Sequence, residues 1–200
     1  VIIRAYNEEA MIRRTLEAVM RQEGASKEIV VIDSQSTDGT RRIAREFPVR
    51  IVQIEKASFS YGAALNLGAR LARGRFVVNL SAHAVPANDR WLKNLLRPLQ
   101  EADGPLPDAK VAGVHGREMP MPGWCGKFEM KVLADSFKSQ PLRRTDDCFF
   151  SNANAAVPRS LLLEYPFDES AAWAEDQLWV HRMQKMGYGT VYSPGAAVYH

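Results

Sequence analysis

Side chains that could act as acids, bases or ligands are concentrated at four places in the chain. Three of these places directly follow an apolar run, at residues 4–9, 33–38 and 81–86, and the fourth is the pair Glu175-Asp176. Carboxylates accept hydrogen bonds and can act as general bases, and a histidine such as His83 can ligate a metal or donate to a phosphate. Ligands of open α/β sheets bind at the carboxyl ends of strands, so we expect the first three places to meet at one sheet edge.

The elements that must position these residues alternate regularly in the first hundred residues. β-branched and apolar runs predict strands at 1–3, 28–33, 49–54 and 76–80. Helical spacing of apolar residues predicts helices at 8–22, 40–46, 61–72 and 91–99. This alternation predicts an α/β fold whose parallel sheet is flanked by helices.

The second half of the chain has a weaker pattern. We predict strands at 111–116 and 149–157 and helices at 127–137 and 174–186. Pro- and Gly-rich segments predict loops at 103–108 and 119–126, and 143–147 is a polar stretch. The helix predicted at 174–186 would carry the Glu175-Asp176 pair on its first turn.

Composition excludes several classes of protein. Apolar residues make up 46% of the 200 residues and charged residues 24%, which is typical of a globular domain and not of a disordered or coiled-coil chain. The net charge of +3 gives no support to nucleic-acid binding. Cys125 and Cys148 form neither a zinc pattern nor a disulfide framework, which favours a reducing compartment. The sequence contains no G-x-G-x-x-G dinucleotide motif, no P-loop and no apolar run of about 18 residues.

The chain starts inside a strand, with neither an initiator Met nor a signal peptide. We therefore expect a fragment of a longer polypeptide.

The motifs around these polar residues resemble those of family 2 glycosyltransferases, in particular the rhamnosyltransferase-like group. The similar segments are VIIRAYNEE, VIDSQSTDGT, GRFVVNLSAHAVP, GREMPMPG, FFSNANAAVPR, EDQLWVHRM and AAVYH. Each motif alone is weak, whereas their order and spacing together are specific. The resemblance implies a GT-A-type fold: a Rossmann-like, mostly parallel central sheet flanked by helices, with a smaller acceptor-side region. It implies a single domain, with a nucleotide-sugar-binding half at about 1–100 and an acceptor and catalytic half at about 101–200.

The resemblance also implies an activity, a cofactor and site residues. The activity is inverting transfer of a sugar from a nucleotide-sugar to a hydroxyl acceptor in polysaccharide or cell-surface glycan synthesis, with a divalent cation. Asp176 is the expected general base, with Glu175 supporting it or touching the acceptor. The expected donor-binding residues are Ala5, Tyr6, Asn7, Glu8, Asp33 and Arg117. Structural alternatives stay open for two of them: Asp33 could only accept a turn hydrogen bond, and Glu8 could only stabilise the first turn of a helix.

The segment Ser81-Ala82-His83 departs from the family pattern, which usually has an Asp there that holds the metal. His83 could be an unusual metal ligand, could donate a hydrogen bond to the diphosphate, or could mark a lost or changed dependence on metal. His200 matches a family position that commonly ligates the metal. If both imidazoles approach one ion, Mn²⁺ is favoured over Mg²⁺.

The expected partners are a nucleotide-sugar donor and a glycan or lipid-linked acceptor, with no nucleic acid and no transmembrane segment. The expected location is the cytoplasm, with the inner face of a membrane as an alternative. A binding module that no longer catalyses is the competing hypothesis, because position 83 lacks a carboxylate. A nucleotidyltransferase is disfavoured, because residues 4–9 contain no glycine. The sequence leaves the oligomeric state open.

Overall fold

The computed structural model describes residues 1–100, 110–124, 126–137, 143–144 and 147–200. The loop predicted at 103–108, Cys125 and residues 145–146 of the polar stretch lie outside this part of the chain. The described thiol, Cys148, is free.

One mixed sheet forms the centre of the molecule. Its nine described strands are β1 (Ile2–Ala5), β2 (Val30–Asp33), β3 (Arg50–Gln53), β4 (Phe76–Ser81), β5 (Val85–Pro86), β6 (Val111–Met119), β7 (Arg143–Arg144), β8 (Asn154–Pro158) and β9 (Gly189–Tyr199). The strand order is β3-β2-β1-β4-β8-β6-β9-β5, and β7 pairs with β9 outside this path.

The two halves of the sheet differ in strand direction. β3, β2, β1 and β4 are parallel, as the alternating pattern of the first half predicts. β8 runs antiparallel to both β4 and β6, whereas β6 and β9 are parallel to each other. The α/β class with helices flanking a central sheet is thus confirmed. The sheet as a whole is mixed, because β8 enters between the two parallel groups from the opposite direction.

Six of the seven described α-helices lie close to their predicted positions, and the short helix Arg159–Glu164 was not predicted. They are α1 (Ile12–Met20), α2 (Thr40–Ala44), α3 (Tyr61–Leu71), α4 (Trp91–Gln100), α5 (Lys127–Ser136), α6 (Arg159–Glu164) and α7 (Glu175–Lys185). The prediction that the first helix begins at residue 8 was wrong, because residues 6–10 turn away to bond the loop after β2. Across the described residues, the helices are too short or too polar to span a bilayer.

Two apolar cores cover the two faces of the sheet. Side chains alternate between faces along β1, so Ile3 packs in the core beneath α1 and α4, and Ile2 packs in the core beneath α3 and α7. Arg4 follows the same alternation and shares the face of Ile2. The central strand therefore carries one charged side chain toward α3 and α7.

A bulge between β6 and β9 sets the end of the chain near the carboxyl ends of β1 and β4. The register shifts between Gly116 and Arg117, opposite Ser193 and Ala197. A Cβ at position 116 would lie 2.0 Å from the carbonyl oxygen of Ala196, so only glycine fits at this close approach.

Candidate active site

Two neighbouring cavities open at the carboxyl ends of β1, β2 and β4. The strand-end cavity has a volume of about 570 Å³ and is lined by Arg4, Ala5, Tyr6, Glu8, Ser34, Lys56, Phe59, Tyr61, Ser81, His83 and His200. The α7 cavity has a volume of about 310 Å³ and is lined by Arg4, Tyr61, Ser151, Asn152, Ala153, Trp173, Ala174, Glu175, Asp176 and Gln177. Arg4 and Tyr61 form a wall of both. The two cavities are therefore adjacent parts of one cleft.

The loop after β1 is tied to the loop after β2 by hydrogen bonds that cross about 30 residues of sequence. The Thr37 amide donates to Asn7 Oδ1 at 2.8 Å, and the Asn7 amide donates to Ser36 Oγ at 2.9 Å. The Glu8 amide donates to Thr40 Oγ1 at 2.7 Å. Asn7 has a φ of 53°, a left-handed conformation that Asn tolerates better than most residues. Its side chain is thus occupied in holding the two loops together.

Asp33 ends β2 and is fully enclosed. Its Oδ2 accepts a hydrogen bond from the Ser36 amide at 3.1 Å and lies 3.6 Å from Arg41 Nε. Its Oδ1 is buried without a hydrogen-bond partner among the described residues. The expected turn hydrogen bond is therefore present on one oxygen, and the other oxygen is an unused acceptor. Asp33 does not border the strand-end cavity, so Oδ1 is closed to that cavity in this conformation.

Tyr6 and Lys56 form the outer rim of the strand-end cavity. Lys56 Nζ donates to the Tyr6 hydroxyl at 2.6 Å and lies 4.3 Å from the centre of the Tyr6 ring. Tyr6 is itself exposed. An aromatic face with an adjacent cation is a suitable platform for a nucleobase and a phosphate.

His83 and His200 lie side by side across the strand-end cavity. Their rings are stacked, with centroids 4.8 Å apart and an interplanar angle of 10°. His83 Nδ1 donates to Glu8 Oε1 at 2.7 Å, and His200 Nδ1 lies 2.9 Å from Glu118 Oε2. The sequence left Glu8 open between a helix-stabilising role and a ligand contact. The Glu8 carbonyl accepts a hydrogen bond from the Ile12 amide at 2.9 Å, where α1 begins, while its carboxylate holds His83.

The α7 cavity contains the carboxylate pair that opens α7. Asp176 Oδ2 accepts a hydrogen bond from the Asn152 amide at 3.0 Å, and Oδ1 accepts one from the Gln177 amide at 2.8 Å. Glu175 Oε1 accepts a hydrogen bond from Asn152 Nδ2 at 3.2 Å. Ala174, just before the pair, has a φ of 61°, an unfavourable conformation for alanine that turns the chain into the helix. Both carboxylates therefore have a fixed orientation.

Burial sets the basicity of Asp176. Removal from water raises the pKa of its carboxyl, hydrogen bonding from the Asn152 amide lowers it, and the nearby Glu175 charge raises it again, so that the pKa lies above the ordinary value of 3.8. A carboxylate with a raised pKa is a stronger base when ionised. Asp176 is thus an oriented carboxylate with a raised pKa that borders a cavity.

The predicted site residues divide into two groups. Seven border the cleft: Ala5, Tyr6, Glu8, His83 and His200 in the strand-end cavity, and Glu175 and Asp176 in the α7 cavity. Asn7, Asp33 and Arg117 border neither cavity. Asn7 and Asp33 lie directly behind the wall of the strand-end cavity, whereas Arg117 lies on β6 beside β9, with Nε buried and without a hydrogen-bond partner among the described residues.

Several residues of the cleft were absent from the predicted set. Arg4, Lys56, Tyr61 and Asn152 line it or orient its carboxylates. From the sequence, Arg4 directly after the first apolar strand could pair either with a diphosphate or with Glu8 or Glu9, so it was left out of the predicted set. Lys56 gave no comparable signal, because it follows β3 in a short turn without a recognisable motif.

A third cavity of about 660 Å³ lies at the opposite edge of the sheet, and its walls include Val1, Lys27, Arg73 and Arg75. It is larger than the strand-end cavity, yet it lies at the amino ends of the strands, and hydrogen bonds from Arg73 lower the pKa of its lining carboxylate, Glu28. Because ligands of open α/β sheets bind at the carboxyl ends of the strands, the cleft at those ends is the better candidate for the functional site.

The chain is similar in sequence to known proteins over most or all of its length. The family model described as "Glycosyl transferase family 2" matches residues 1–165. The chain is 28% identical to the O-antigen chain rhamnosyltransferase WbaN of Salmonella anatum, covering 92% of this chain and 59% of that protein. It is 29% identical to the O-antigen chain rhamnosyltransferase RfbN of Salmonella typhimurium, covering 100% of this chain and 65% of that protein. The chain thus spans about three fifths of the length of these relatives.

Solved structures give the same fold. The mannosyltransferase PcManGT from Pyrobaculum calidifontis, solved in complex with GDP-Man and Mn²⁺, has a TM-score of 0.72 and 24% sequence identity, covering 100% of this chain and 55% of that one. The predicted GT-A-type fold is confirmed.

Proposed function

We propose, from the premise that the chain belongs to glycosyl transferase family 2, that it transfers a hexosyl or deoxyhexosyl group from a nucleoside diphosphate sugar to a hydroxyl acceptor. The observation that carries this proposal is the shared cleft. An oriented carboxylate with a raised pKa, Asp176, lies in a cavity that shares two wall residues with a larger cavity at the strand ends. The names of the rhamnosyltransferase relatives support a role in building a cell-surface polysaccharide.

In the proposed reaction, Asp176 takes the proton of the acceptor hydroxyl. The acceptor oxygen forms a bond to the anomeric carbon from the face opposite the diphosphate, and the bond from that carbon to the diphosphate oxygen breaks. The Asn152 and Gln177 amides keep the carboxylate in place while Glu175 stays anchored beside it. A single displacement of this kind inverts the configuration at the anomeric carbon.

Stabilising the departing diphosphate is expected to contribute more to the rate of transfer than the general base does. Arg4 and Lys56 line the strand-end cavity and bring positive charge to the place where negative charge develops. Tyr6 offers a face for the nucleobase, and the unused Oδ1 of Asp33 supports a role as an acceptor for the nucleoside. Arg117 stays a predicted diphosphate contact, and Asn7 acts in this proposal by positioning the loop after β1.

We further propose that His83 and His200 hold a divalent cation through their Nε2 atoms. Each Nδ1 is next to a carboxylate, which is the usual outer partner of a metal-bound histidine. No group of three or more His, Cys, Asp or Glu side chains suited to a metal occurs among the described residues, so diphosphate oxygens and water would complete the coordination. Because stacked rings do not aim both Nε2 lone pairs at one point, one ring would have to turn. Such a cation would neutralise charge on the diphosphate.

Calorimetry of nucleoside diphosphate binding tests the cation. With two imidazole ligands, we expect Mn²⁺ to tighten binding more than Mg²⁺. His83→Ala and His200→Ala should each reduce this Mn²⁺-linked tightening by about tenfold or more. His181→Ala, which changes an exposed histidine outside both cavities, is the control and should bind like the wild type.

The possible results of this titration separate the alternatives. Equal wild-type affinity in Mn²⁺ and in chelator would contradict the cation and favour a direct hydrogen bond from His83 to the diphosphate. Binding without any turnover would favour the inactive binding module.

A panel of nucleotide-sugars tests the function itself. Binding, together with slow hydrolysis in which water replaces the acceptor, is expected for one nucleotide and one class of sugar. No affinity for any nucleotide-sugar would overturn the proposal. For the acceptor we propose a glycan or a lipid-linked glycan, and hence a cytoplasmic location that includes the inner face of a membrane when the acceptor is lipid-linked.

A further inference from the structure

The backbone of Arg4 is held rigidly at the centre of the sheet. β1 pairs with β2 on one side and β4 on the other, which places Arg4 opposite Ile32 and Ser81. Its carbonyl accepts a hydrogen bond from the Ala82 amide at 3.2 Å. Because side chains alternate along a strand, the guanidinium is carried to the face covered by α3 and α7. A group held in this way keeps its place without help from a flexible loop.

The guanidinium lies in a setting that favours an anionic partner. Its carbon is 4.9 Å from the centre of the Tyr61 ring, and its Nε is buried without a hydrogen-bond partner among the described residues. Burial lowers the pKa of Arg4, while the charges of Glu175, Tyr61 and Asp176 raise it. Buried polar groups are nearly always hydrogen-bonded, so an unpartnered arginine nitrogen in a cleft points to a ligand.

Arg4 is also the one cation that borders both cavities within the described part of the chain. Lys56 borders only the strand-end cavity and is engaged with the Tyr6 hydroxyl. Tyr61, the other shared wall residue, supplies a ring face beneath the guanidinium. A diphosphate in the strand-end cavity and the carboxylate in the α7 cavity therefore have Arg4 as their common neighbour.

We propose that Arg4 couples the two cavities: it binds the donor's diphosphate and acts as a positioning residue that keeps Asp176 ionised. This inference rests on the proposed function. The groups that face Asp176 are Arg4 from β1, Tyr61 from α3 and Glu175 on its own helix. Arg4 is the cation among them, so its loss leaves Asp176 beside the negative charge of Glu175 alone.

The test compares Arg4→Gln and Arg4→Lys with Arg75→Gln, a control at an exposed arginine on the opposite edge of the sheet. Calorimetry with UDP, dTDP, GDP and inorganic diphosphate measures binding. Carbon-13 NMR titration of the aspartate carboxyls measures the Asp176 pKa directly, without an acceptor.

Arg4→Gln should bind the preferred ligand about 10- to 100-fold more weakly, since charge-assisted hydrogen bonds contribute about 1.5–3 kcal/mol. The pKa of Asp176 should rise, because a positive neighbour favours the ionised carboxylate. Arg4→Lys keeps the charge but not the planar fork, so it should restore the pKa and only part of the affinity. Arg75→Gln should match the wild type in both measurements.

Three results would overturn the inference. Unchanged affinity and unchanged Asp176 pKa in Arg4→Gln would show that the guanidinium faces neither group. Equal losses in the Gln and Lys variants, together with lower thermal stability, would show that Arg4 is only structural. A wild-type chain that binds none of the four probes would remove the proposed function and this inference with it, whereas a binding wild type with unaffected Arg4 variants would remove only the inference.

Discussion

Asp176→Asn should lower sugar transfer or donor hydrolysis by about 10²–10⁴-fold, because the proton of the attacking hydroxyl then has no base to receive it. Nucleotide affinity should stay at the wild-type level, since Asp176 borders the α7 cavity and not the strand-end cavity. Turnover is measured by release of nucleoside diphosphate and affinity by calorimetry. Wild-type turnover in the variant would contradict the assignment of the base.

The same variant should be at least as stable as the wild type at neutral pH. The folded-state pKa of Asp176 is raised by burial, so its ionisation opposes folding. Its contribution to stability is fully present below the ordinary pKa of 3.8 and is lost as the pH rises through the raised value. Asn removes that cost, and its single amide oxygen can still accept from the Asn152 amide. The bond from the Gln177 amide to the other oxygen is lost, but it is exposed to water and its loss costs little.

Asp168→Asn is the matched control. Hydrogen bonds from the Ser170 hydroxyl and amide lower the pKa of this exposed carboxyl, so its ionised form stabilises the fold above the ordinary pKa. This variant should keep turnover and lose stability slightly at neutral pH, the opposite of Asp176→Asn. Thermal unfolding at pH 7 and near pH 3 separates the two. A fall in stability for Asp176→Asn at pH 7 would contradict the cost assigned to its burial.

Asn154→Ala should destabilise the fold by about 2–4 kcal/mol, a large part of the stability of a domain this size. Asn154 is fully buried at the start of β8. Its Oδ1 accepts from Trp91 Nε1 at 2.8 Å, and its Nδ2 donates to the carbonyl oxygens of Ala196 at 2.8 Å and Arg117 at 3.3 Å. Truncating the Asn154 side chain leaves these buried groups without hydrogen-bond partners. The resulting loss in the free energy of unfolding is larger than the net contribution of the bonds themselves.

Urea unfolding measures this loss, and Asn94→Ala provides the comparison. Asn94 Nδ2 also donates to a backbone carbonyl of β9, that of Gly195 at 2.8 Å, but the bond is exposed to water. Its removal should cost less than about 1 kcal/mol. Equal effects of the two substitutions would contradict the role given to burial at Asn154.

Local pattern was enough to predict the first half of the fold. The runs that became β1, β2 and β4 are apolar and β-branched because they are covered on both faces, and α3 and α4 repeat apolar residues at helical spacing. The same patterns placed Glu8 and His83 after strands and the Glu175-Asp176 pair at the start of a helix. The sequence therefore indicated both the reactive residue types and their places in the fold.

The rest depends on contacts between residues far apart in the chain. The long strand β9 was not predicted, because Ser193-Pro194-Gly195 in its middle has the composition of a turn. The bond between Glu8 and His83 joins residues 75 positions apart, so no local spacing indicates it. Likewise, Arg4 lines both cavities only because the fold brings β1, α3 and α7 together.

The hydrogen bonds between the loops after β1 and β2 have a consequence for how this cleft can be inherited or re-engineered. Asn7, Ser36, Thr37 and Thr40 exchange bonds in both directions, so neither loop has its shape alone. If the loop after β1 were replaced by that of a relative while the loop after β2 was kept, hydrogen-bond donors and acceptors of the two loops would be left without partners. An exchange of donor preference with a relative should therefore require that both loops be replaced together.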